Sequence, residues 1–272
     1  MEKKEKSIEA RFKKLCQKVG KTIHHHQLLE QGDHLLLGLS GGKDSYLLLE
    51  TLAERKKAIP FDFRISAVHV KVSNVLYTME SGFMEQLCSD LAIPLYIKEI
   101  TPDFDQDKKK APCFVCSWHR RKEIFNLGKE LNCNKLAFGH HRDDALETFM
   151  MNLMYHGSIS SLPYSLEMFD GRVKLIRPLL DIWEKEILEY TNLRGYPKAE
   201  KLCPYDDKTK RRQTRELIEQ MEQSYVNSKT NMFKALDNIY PEYLPSKGKG
   251  RSFKEPIAPD TDNSGPEKSV PA

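Results

Sequence analysis

The stretch Leu35-Leu36-Leu37-Gly38-Leu39-Ser40-Gly41-Gly42-Lys43-Asp44-Ser45 decides the fold of this chain. An apolar run ends there in small, polar and charged residues, and helix-forming residues begin again at Tyr46. This order predicts a buried strand, a tight turn and the first turn of a helix. Adjacent glycines let the backbone approach a ligand closely, and the N–H groups of a helix N-terminus suit a phosphate. Residues 40–45 therefore predict a phosphate-binding turn, called the 40–45 turn below.

The 40–45 turn is not a Walker A loop. That motif requires a glycine where Leu37 stands and a Ser or Thr where Asp44 stands. The turn thus carries a carboxylate inside a phosphate-binding sequence. Taken alone, an ordinary connection between a strand and a helix would be the favoured interpretation, so the function depends on what the rest of the chain provides.

Length, charge and cysteine usage exclude several classes of protein. The 272 residues contain 43 Lys+Arg against 39 Asp+Glu, a net charge of +4, and can bury a substantial core. No apolar run approaches the roughly 20 residues of a membrane span, and the charged N-terminus lacks the apolar stretch of a signal peptide. Six cysteines without an export signal favour a reducing compartment. We therefore expect a cytoplasmic protein with no membrane partner.

Strand and helix patterns alternate after the N-terminal helix. The alternation predicts an α/β fold: a mostly parallel five-stranded sheet with helices on both faces, plus N- and C-terminal helices. The predicted strands cover residues 35–39, 63–70, 94–100, 135–138 and 173–178. The predicted units are a helical extension (1–32), the sheet domain with its cysteine insertion (33–200), a helical segment (201–244) and a disordered tail of Gly, Pro, Ser, Lys and Asp (245–272).

A second polar segment, Gly139-His140-His141-Arg142-Asp143-Asp144, directly follows the fourth predicted strand. Ligands of open parallel sheets bind outside the carboxyl ends of the strands, so this segment and the 40–45 turn are expected at one edge. Aspartates at a helix start are ordinarily caps. A helix cap needs fewer polar residues than this segment contains, which has two His, one Arg and two Asp in five positions. Carboxylates near a phosphate favour binding of Mg²⁺. We predict a nucleotide and Mg²⁺ site with Gly139, His140, Asp143 and Asp144.

The cysteines divide into two groups. Cys16, Cys88 and Cys133 lie beside apolar residues, which favours packing in a core. Cys113-x-x-Cys116 fits a redox pair, a zinc half-site or a cluster half-site, and Cys203 lies in an irregular segment. Three thiolates from two segments would suit an iron–sulfur cluster with one iron left open. Spacing alone leaves these alternatives open.

Two basic blocks without acids flank these cysteines, at residues 108–122 and 208–215. A solvated face is the usual explanation of such blocks. Two of them beside the same cysteines favour a polyanion, so we expect a nucleic-acid surface. Its predicted contacts are Lys108, Lys109, Lys110, Arg120, Arg121, Arg211 and Arg212.

Assembled, these segments resemble the PP-loop ATP pyrophosphatase superfamily, which carries Ser-Gly-Gly-x-Asp-Ser, and more narrowly the bacterial tRNA 2-thiocytidine synthetase family. The matching segments are residues 39–46, Cys113-x-x-Cys116 with Arg120-Arg121, and residues 139–144, 176–179 and 195–197. One departure stands out. The family pattern has a second Cys-x-x-Cys where this chain has Cys203-Pro204-Tyr205-Asp206.

The resemblance implies a reaction and its cofactors. The 40–45 turn, with Ser40, Gly41, Gly42, Lys43 and Ser45, would hold the pyrophosphate end of ATP, with Asp44 near Mg²⁺. ATP would adenylate the C2 carbonyl oxygen of cytidine 32 in the tRNA anticodon loop, and a sulfur species would displace AMP to give 2-thiocytidine. The implied catalytic residues are Asp44 and the cysteines Cys113, Cys116 and Cys203, which would hold a [4Fe-4S] cluster with an open iron.

The implied partners are tRNA and a sulfur donor such as a cysteine desulfurase, and a homodimer is compatible with the family. Because the second cysteine of the later pair is missing, a persulfide mechanism that needs it is disfavoured. Three alternatives stay open: thiolation of another tRNA base such as uridine, nucleotide or tRNA binding without chemistry, and adenylation of a small molecule. Uridine-modifying relatives usually add terminal zinc-finger cysteine pairs, which this sequence lacks, and the other two functions have no need of Cys203.

Overall fold

A six-stranded sheet forms the centre of the protein in a computed structural model that describes residues 2–74, 81–104, 112–197 and 210–244. The strand order is β3-β2-β1-β4-β6-β5, and every neighbouring pair is parallel except β5 with β6. The strands are β1 (His34–Gly38), β2 (Arg64–Val72), β3 (Leu95–Ile100), β4 (Lys135–Ala137), β5 (Ser165–Met168) and β6 (Val173–Ile176). The predicted α/β class is confirmed.

The predicted number of five strands is wrong by one. The additional strand, β5, pairs antiparallel with β6 at the edge of the sheet. Its four residues alternate between exposed and half-buried positions and include no β-branched side chain. Such a short edge strand gives little hydrophobic pattern, which explains why the sequence did not indicate it.

Eight α-helices connect and flank the strands in the described ranges. They are α1 (Glu2–His25), α2 (Lys43–Ala58), α3 (Ser81–Asp90), α4 (Pro112–Glu130), α5 (Arg142–Met151), α6 (Glu184–Arg194), α7 (Lys210–Ser224) and α8 (Ser228–Ala235). A π-helical turn (Asn152–His156) extends α5, and a 3₁₀ turn (Pro241–Tyr243) follows α8. None of the helices within these ranges is both long and apolar enough to cross a membrane.

Strand β1 shows why helices cover both faces. Leu35 and Leu37 point into a core shared with α1, α2, α3 and α6. Leu36, between them, points into a second core with Ile124 and Leu127 of α4. Because side chains alternate along a strand and this one is apolar on both faces, both faces must be covered. The uninterrupted Leu35-Leu36-Leu37 run is therefore what places the 40–45 turn at the end of a central strand.

The cysteine pair lies inside a helix. This helix, α4, begins at Pro112, directly before the pair. Proline suits the first helical turn, where its missing N–H needs no partner. Cys113 and Cys116 therefore occupy the first two turns of α4. Cys203, Lys108, Lys109, Lys110 and the tail at 245–272 lie outside the described residues.

Candidate functional site

The 40–45 turn is closed by its own serines. Gly41 has φ +84, a left-handed conformation that favours glycine, and Gly42 caps α2 in an extended conformation. The Ser45 hydroxyl donates to the Gly42 carbonyl at 2.8 Å, and the Ser40 hydroxyl donates to the Ser45 oxygen at 3.2 Å. The turn is thus preformed, with the N-terminus of α2 facing the carboxyl edge of the sheet, where anion binding is favoured.

The connection between β4 and α5 rests directly against this turn at Gly139. A Cβ atom at Gly139 would lie 3.0 Å from the backbone carbonyl carbon and oxygen of Asp44 and 3.2 Å from the Ser45 nitrogen. Backbone atoms cannot give way cheaply, so only glycine allows this approach. Two segments almost a hundred residues apart in sequence therefore form one site, as the sequence predicted for residues 40–45 and 139–144.

Carboxylates and an imidazole converge where the two segments meet. The Nε2 atom of buried His141 lies 3.9 Å from Asp44 Oδ1 and 3.4 Å from Asp144 Oδ2. The His141 backbone N–H donates to Asp144 Oδ2 at 2.9 Å, so Asp144 also performs the capping that its position suggests. Asp44 Oδ1 is buried and has no hydrogen-bond partner among the described residues. One carboxylate oxygen at the junction of the two segments is therefore left without a hydrogen bond from the described part of the chain.

Burial and charge shift the pKa values in this cluster in different directions. Burial raises the pKa of Asp44, although Lys43 and His141 oppose it. Burial lowers the pKa of His140 to about 4, against the opposing charge of Asp144. For Asp144, burial alone would raise the pKa, but the charges of His141 and Arg211 outweigh it and lower the pKa. The site thus favours a cation beside Asp44 and a neutral imidazole at His140.

The C-terminal helices attach to this site through ion pairs. Buried Glu147 on α5 accepts from Arg211 Nε and Arg215 Nε of α7, each at 2.6 Å. Arg211 also donates to Asp144 at 2.9 Å, and Lys229 of α8 lies 3.4 Å from Asp143. Sequence reasoning missed Glu147 and Lys229, and it included Arg215 only in the basic block at 208–215. Arg211 and Arg215 are four residues apart, so on a helix their side chains lie on the same face. The sequence could have indicated this shared face.

The predicted nucleic-acid contacts fall into different environments. Arg211 is engaged with Asp144 and Glu147, whereas Arg212 is exposed and pairs with Glu216 at 3.3 Å. Arg120 and Arg121 are half-buried on α4, and burial lowers the pKa of Arg121. Their contact with a nucleic acid stays a prediction.

The predicted Mg²⁺ ligands differ in how far their oxygens are already engaged. Asp143 accepts from the Glu184 backbone N–H at 2.7 Å and faces Lys229, and Asp144 is held by Arg211 and the His141 N–H. Within the described part of the chain, no group of three or more His, Cys, Asp or Glu side chains is arranged to hold a metal ion. Asp44 therefore fits a cation better than the Asp143–Asp144 pair does.

The cysteines separate by exposure as the sequence predicted. Cys16, Cys88 and Cys133 are buried, and burial raises the pKa of Cys16 to about 12 and the pKa values of Cys88 and Cys133 to about 11. Cys113 is exposed and Cys116 is half-buried, one helical turn apart at the N-terminus of α4. That position favours thiolates through the helix dipole. The pair therefore fits two ligands of a metal cluster.

One buried histidine connects the cysteine helix with the 40–45 turn. His69 Nδ1 lies 2.7 Å from the Leu39 carbonyl oxygen, directly before the turn. Burial lowers the pKa of His69, and the nearby charge of Arg120, one helical turn beyond Cys116, lowers it further. Because α4 connects the parallel strands β3 and β4, its N-terminus lies at the carboxyl edge of the sheet, the edge that also carries the 40–45 turn. Nothing in the sequence singled out His69, which follows no motif.

Comparison with known proteins identifies relatives over most of the chain. Residues 4–232 match the PP-loop domain. The chain is 34% identical over 239 residues to a tRNA-cytidine(32) 2-sulfurtransferase of Pelobacter propionicus, covering 86% of this chain and 88% of the relative. It is 35% identical over 249 residues to tRNA-cytidine(32) 2-sulfurtransferase 1 of Francisella tularensis, covering 86% and 89%.

Among solved structures, the chain is similar to the U34-tRNA thiolase NcsA from Methanococcus maripaludis with its [4Fe-4S] cluster. The TM-score is 0.69 at 26% sequence identity, covering 89% of this chain and 82% of the other. The similarity thus extends through the sheet and the flanking helices rather than the 40–45 turn alone.

Proposed function

The chain belongs to the PP-loop domain family and, within it, to the family of the tRNA-cytidine(32) 2-sulfurtransferases, and we propose that it is an ATP-dependent tRNA sulfurtransferase that converts cytidine 32 to 2-thiocytidine. The observation that carries the proposal is the meeting of two sites at one sheet edge. A preformed phosphate-binding turn with one buried carboxylate oxygen lies at the same carboxyl edge of the sheet as the N-terminus of α4, which carries two cysteines.

The nucleotide half of the reaction uses the 40–45 turn. The N-terminus of α2 and Lys43 would bind the phosphates of ATP, and the Asp44 oxygen that has no hydrogen-bond partner among the described residues would hold Mg²⁺. Cytidine O2 attacks the α-phosphorus and pyrophosphate leaves. Adenylation is needed because a ring carbonyl oxygen is a poor leaving group, whereas AMP is a good one.

The sulfur half of the reaction uses the N-terminus of α4. Cys113, Cys116 and Cys203 would hold a [4Fe-4S] cluster, which supplies sulfide to the activated base when bound. Sulfur forms a bond to C2, the bond from C2 to oxygen breaks, and AMP leaves with that oxygen. Arg120 would contact the RNA near the reacting base, since it follows Cys116 by one turn and neighbours His69.

Lys108, Lys109, Lys110, Arg121, Arg211 and Arg212 would add contacts to the tRNA phosphates. The sulfide would come from a donor such as a cysteine desulfurase, and the protein would act in the reducing cytoplasm, where cluster thiolates persist. A homodimer is compatible with this arrangement.

A second candidate function is thiolation of a tRNA uridine. The observation that favours it is the structural similarity to a U34-tRNA thiolase. The higher identity of 34–35% to cytidine-modifying relatives, against 26% to the uridine enzyme, favours cytidine.

Reconstitution in vitro tests the proposal. Anaerobically purified protein loaded with iron and sulfide is incubated with an unmodified tRNA transcript, ATP, Mg²⁺ and sulfide, and the nucleosides are analysed by mass spectrometry. We expect 2-thiocytidine to form only when ATP is present. AMP should form in an amount equal to that of 2-thiocytidine. A transcript with cytidine 32 changed to uridine is the matched control and should stay unmodified. Product containing 2-thiouridine instead would favour the second candidate.

A further inference from the structure

Glu184 holds the lysine of the 40–45 turn. The Lys43 ammonium lies 2.8 Å from Glu184 Oε1 and 3.2 Å from Asp44 Oδ2. Burial would lower the pKa of Lys43, but these two carboxylates outweigh it and raise the pKa, so the ammonium is firmly charged. Under the proposed function the same ammonium binds phosphate, so a nucleotide competes with Glu184 for Lys43.

A second cation, the guanidinium of Arg215, lies near the other carboxylate oxygen of Glu184. The Glu184 Oε2 atom lies 3.8 Å from Arg215 Nη1 of α7, beyond the range of a direct hydrogen bond. The Glu184 backbone N–H donates to Asp143 at 2.7 Å, which fixes the start of α6 between the two cations. A small rotation of the Glu184 side chain would therefore exchange one partner for the other without moving the helix.

We propose that Glu184 is a positioning residue that gives up Lys43 and pairs with Arg215 when the phosphates of a nucleotide bind in the 40–45 turn. This inference rests on the proposed use of ATP at that turn. The exchange avoids two costs, because Lys43 becomes available to the phosphates and the half-buried carboxylate keeps a cationic partner. It also connects nucleotide binding to α7, which is held to α5 through Arg215 and Glu147.

The exchange predicts opposite effects for two substitutions. Glu184→Gln removes the competitor for Lys43, so ATP should bind about fivefold more tightly, the size typical of a partly exposed ion pair. Arg215→Gln removes the alternative partner of Glu184, which then retains Lys43, so ATP should bind about threefold more weakly. Glu189→Gln on the exposed face of α6, where Glu189 pairs with Arg11, is the matched control and should bind like the wild type.

Titration calorimetry of the full-length protein with ATP and with adenosine measures these effects. Adenosine lacks phosphates, so its Kd should not change in either variant. In a Lys43→Ala background, Glu184→Gln should no longer tighten ATP binding, because the competed ammonium is absent. This cycle distinguishes an exchange from a structural effect of the substitution.

Three results would overturn the inference alone. ATP binding that is unchanged or weakened in Glu184→Gln excludes competition for Lys43, and an equal shift for adenosine indicates a structural effect. Persistence of the tightening in the Lys43→Ala background excludes Lys43 as the exchanged group. Absence of ATP binding by the wild type would instead overturn the proposed function together with this inference.

Discussion

The site has a nucleotide half, formed by the 40–45 turn and residues 139–144, and a sulfur half, formed by Cys113 and Cys116. The two halves are built in different ways. The nucleotide half is enclosed by α2, α5, α6 and α7, and its charged groups are paired with one another. The sulfur half consists of an exposed and a half-buried cysteine on one helical turn. The first is preorganised by the protein itself, whereas the second, under the proposed function, would need a further ligand from a different segment. The difference predicts that the two halves fail independently.

The largest expected effect comes from the sulfur half. Cys113→Ala and Cys116→Ala should each reduce thiolation to background, at least about 100-fold, since a cluster lacking a ligand is lost. ATP binding should change less than about twofold. Cluster content is checked by iron and sulfide analysis and thiolation by nucleoside mass spectrometry. Cys133→Ala, a buried cysteine, is the control and should keep iron and activity. A Cys116→Ala protein with full iron would show that Cys116 is not a ligand.

The next effect breaks the nucleotide half alone. Asp44→Asn keeps the shape of the side chain but removes the charge that would hold Mg²⁺, so release of pyrophosphate should fall about 100-fold. Iron content should stay at the wild-type level because Asp44 belongs to the turn and the cysteines to α4. A coupled pyrophosphate assay measures the rate, with the exposed Asp90→Asn as control. Unchanged pyrophosphate release would remove Asp44 from the reaction.

The sequence predicted the features that neighbouring residues determine, and it did not predict those that depend on residues far apart in sequence. Local patterns predicted β1, the 40–45 turn and the alternation of strands and helices, because periodicity is a local property. The pairing of Glu147 with Arg211 spans 64 residues, and the pairing of Lys43 with Glu184 spans 141. No local pattern encodes such partners, so Glu147, Glu184 and the inward direction of Arg211 became visible only in the structure.

A smaller effect concerns stability. Glu147 is buried and compensates two guanidinium groups, so Glu147→Gln should lower the free energy of unfolding by about 2 kcal/mol, less than for a fully buried pair because both arginines are partly exposed. Urea denaturation measures the change. Glu216→Gln removes an exposed pair with Arg212 and should cost less than about 0.5 kcal/mol. Equal costs for the two substitutions would contradict the role of Glu147 as the anchor of α7.

The smallest effect is a pH dependence in the nucleotide half. The pKa of His140 is lowered to about 4 from 6.5, so the unfolded chain binds a proton at a higher pH than the folded protein does. Stability from this group is full above pH 6.5 and is lost progressively as the pH falls towards 4. His140→Asn should reduce the loss of urea resistance between pH 7 and pH 5. An identical pH dependence in the variant would show that His140 does not titrate in this range.

The central claim is that one sheet edge couples ATP to sulfur insertion at a tRNA cytidine. Mass spectrometry of tRNA nucleosides from a strain that lacks the gene tests it most directly. The account predicts loss of 2-thiocytidine with all other thionucleosides unchanged, restored by the wild-type gene and by neither Asp44→Asn nor Cys116→Ala. Undiminished 2-thiocytidine in that strain, or loss of a thiouridine in its place, would contradict the account.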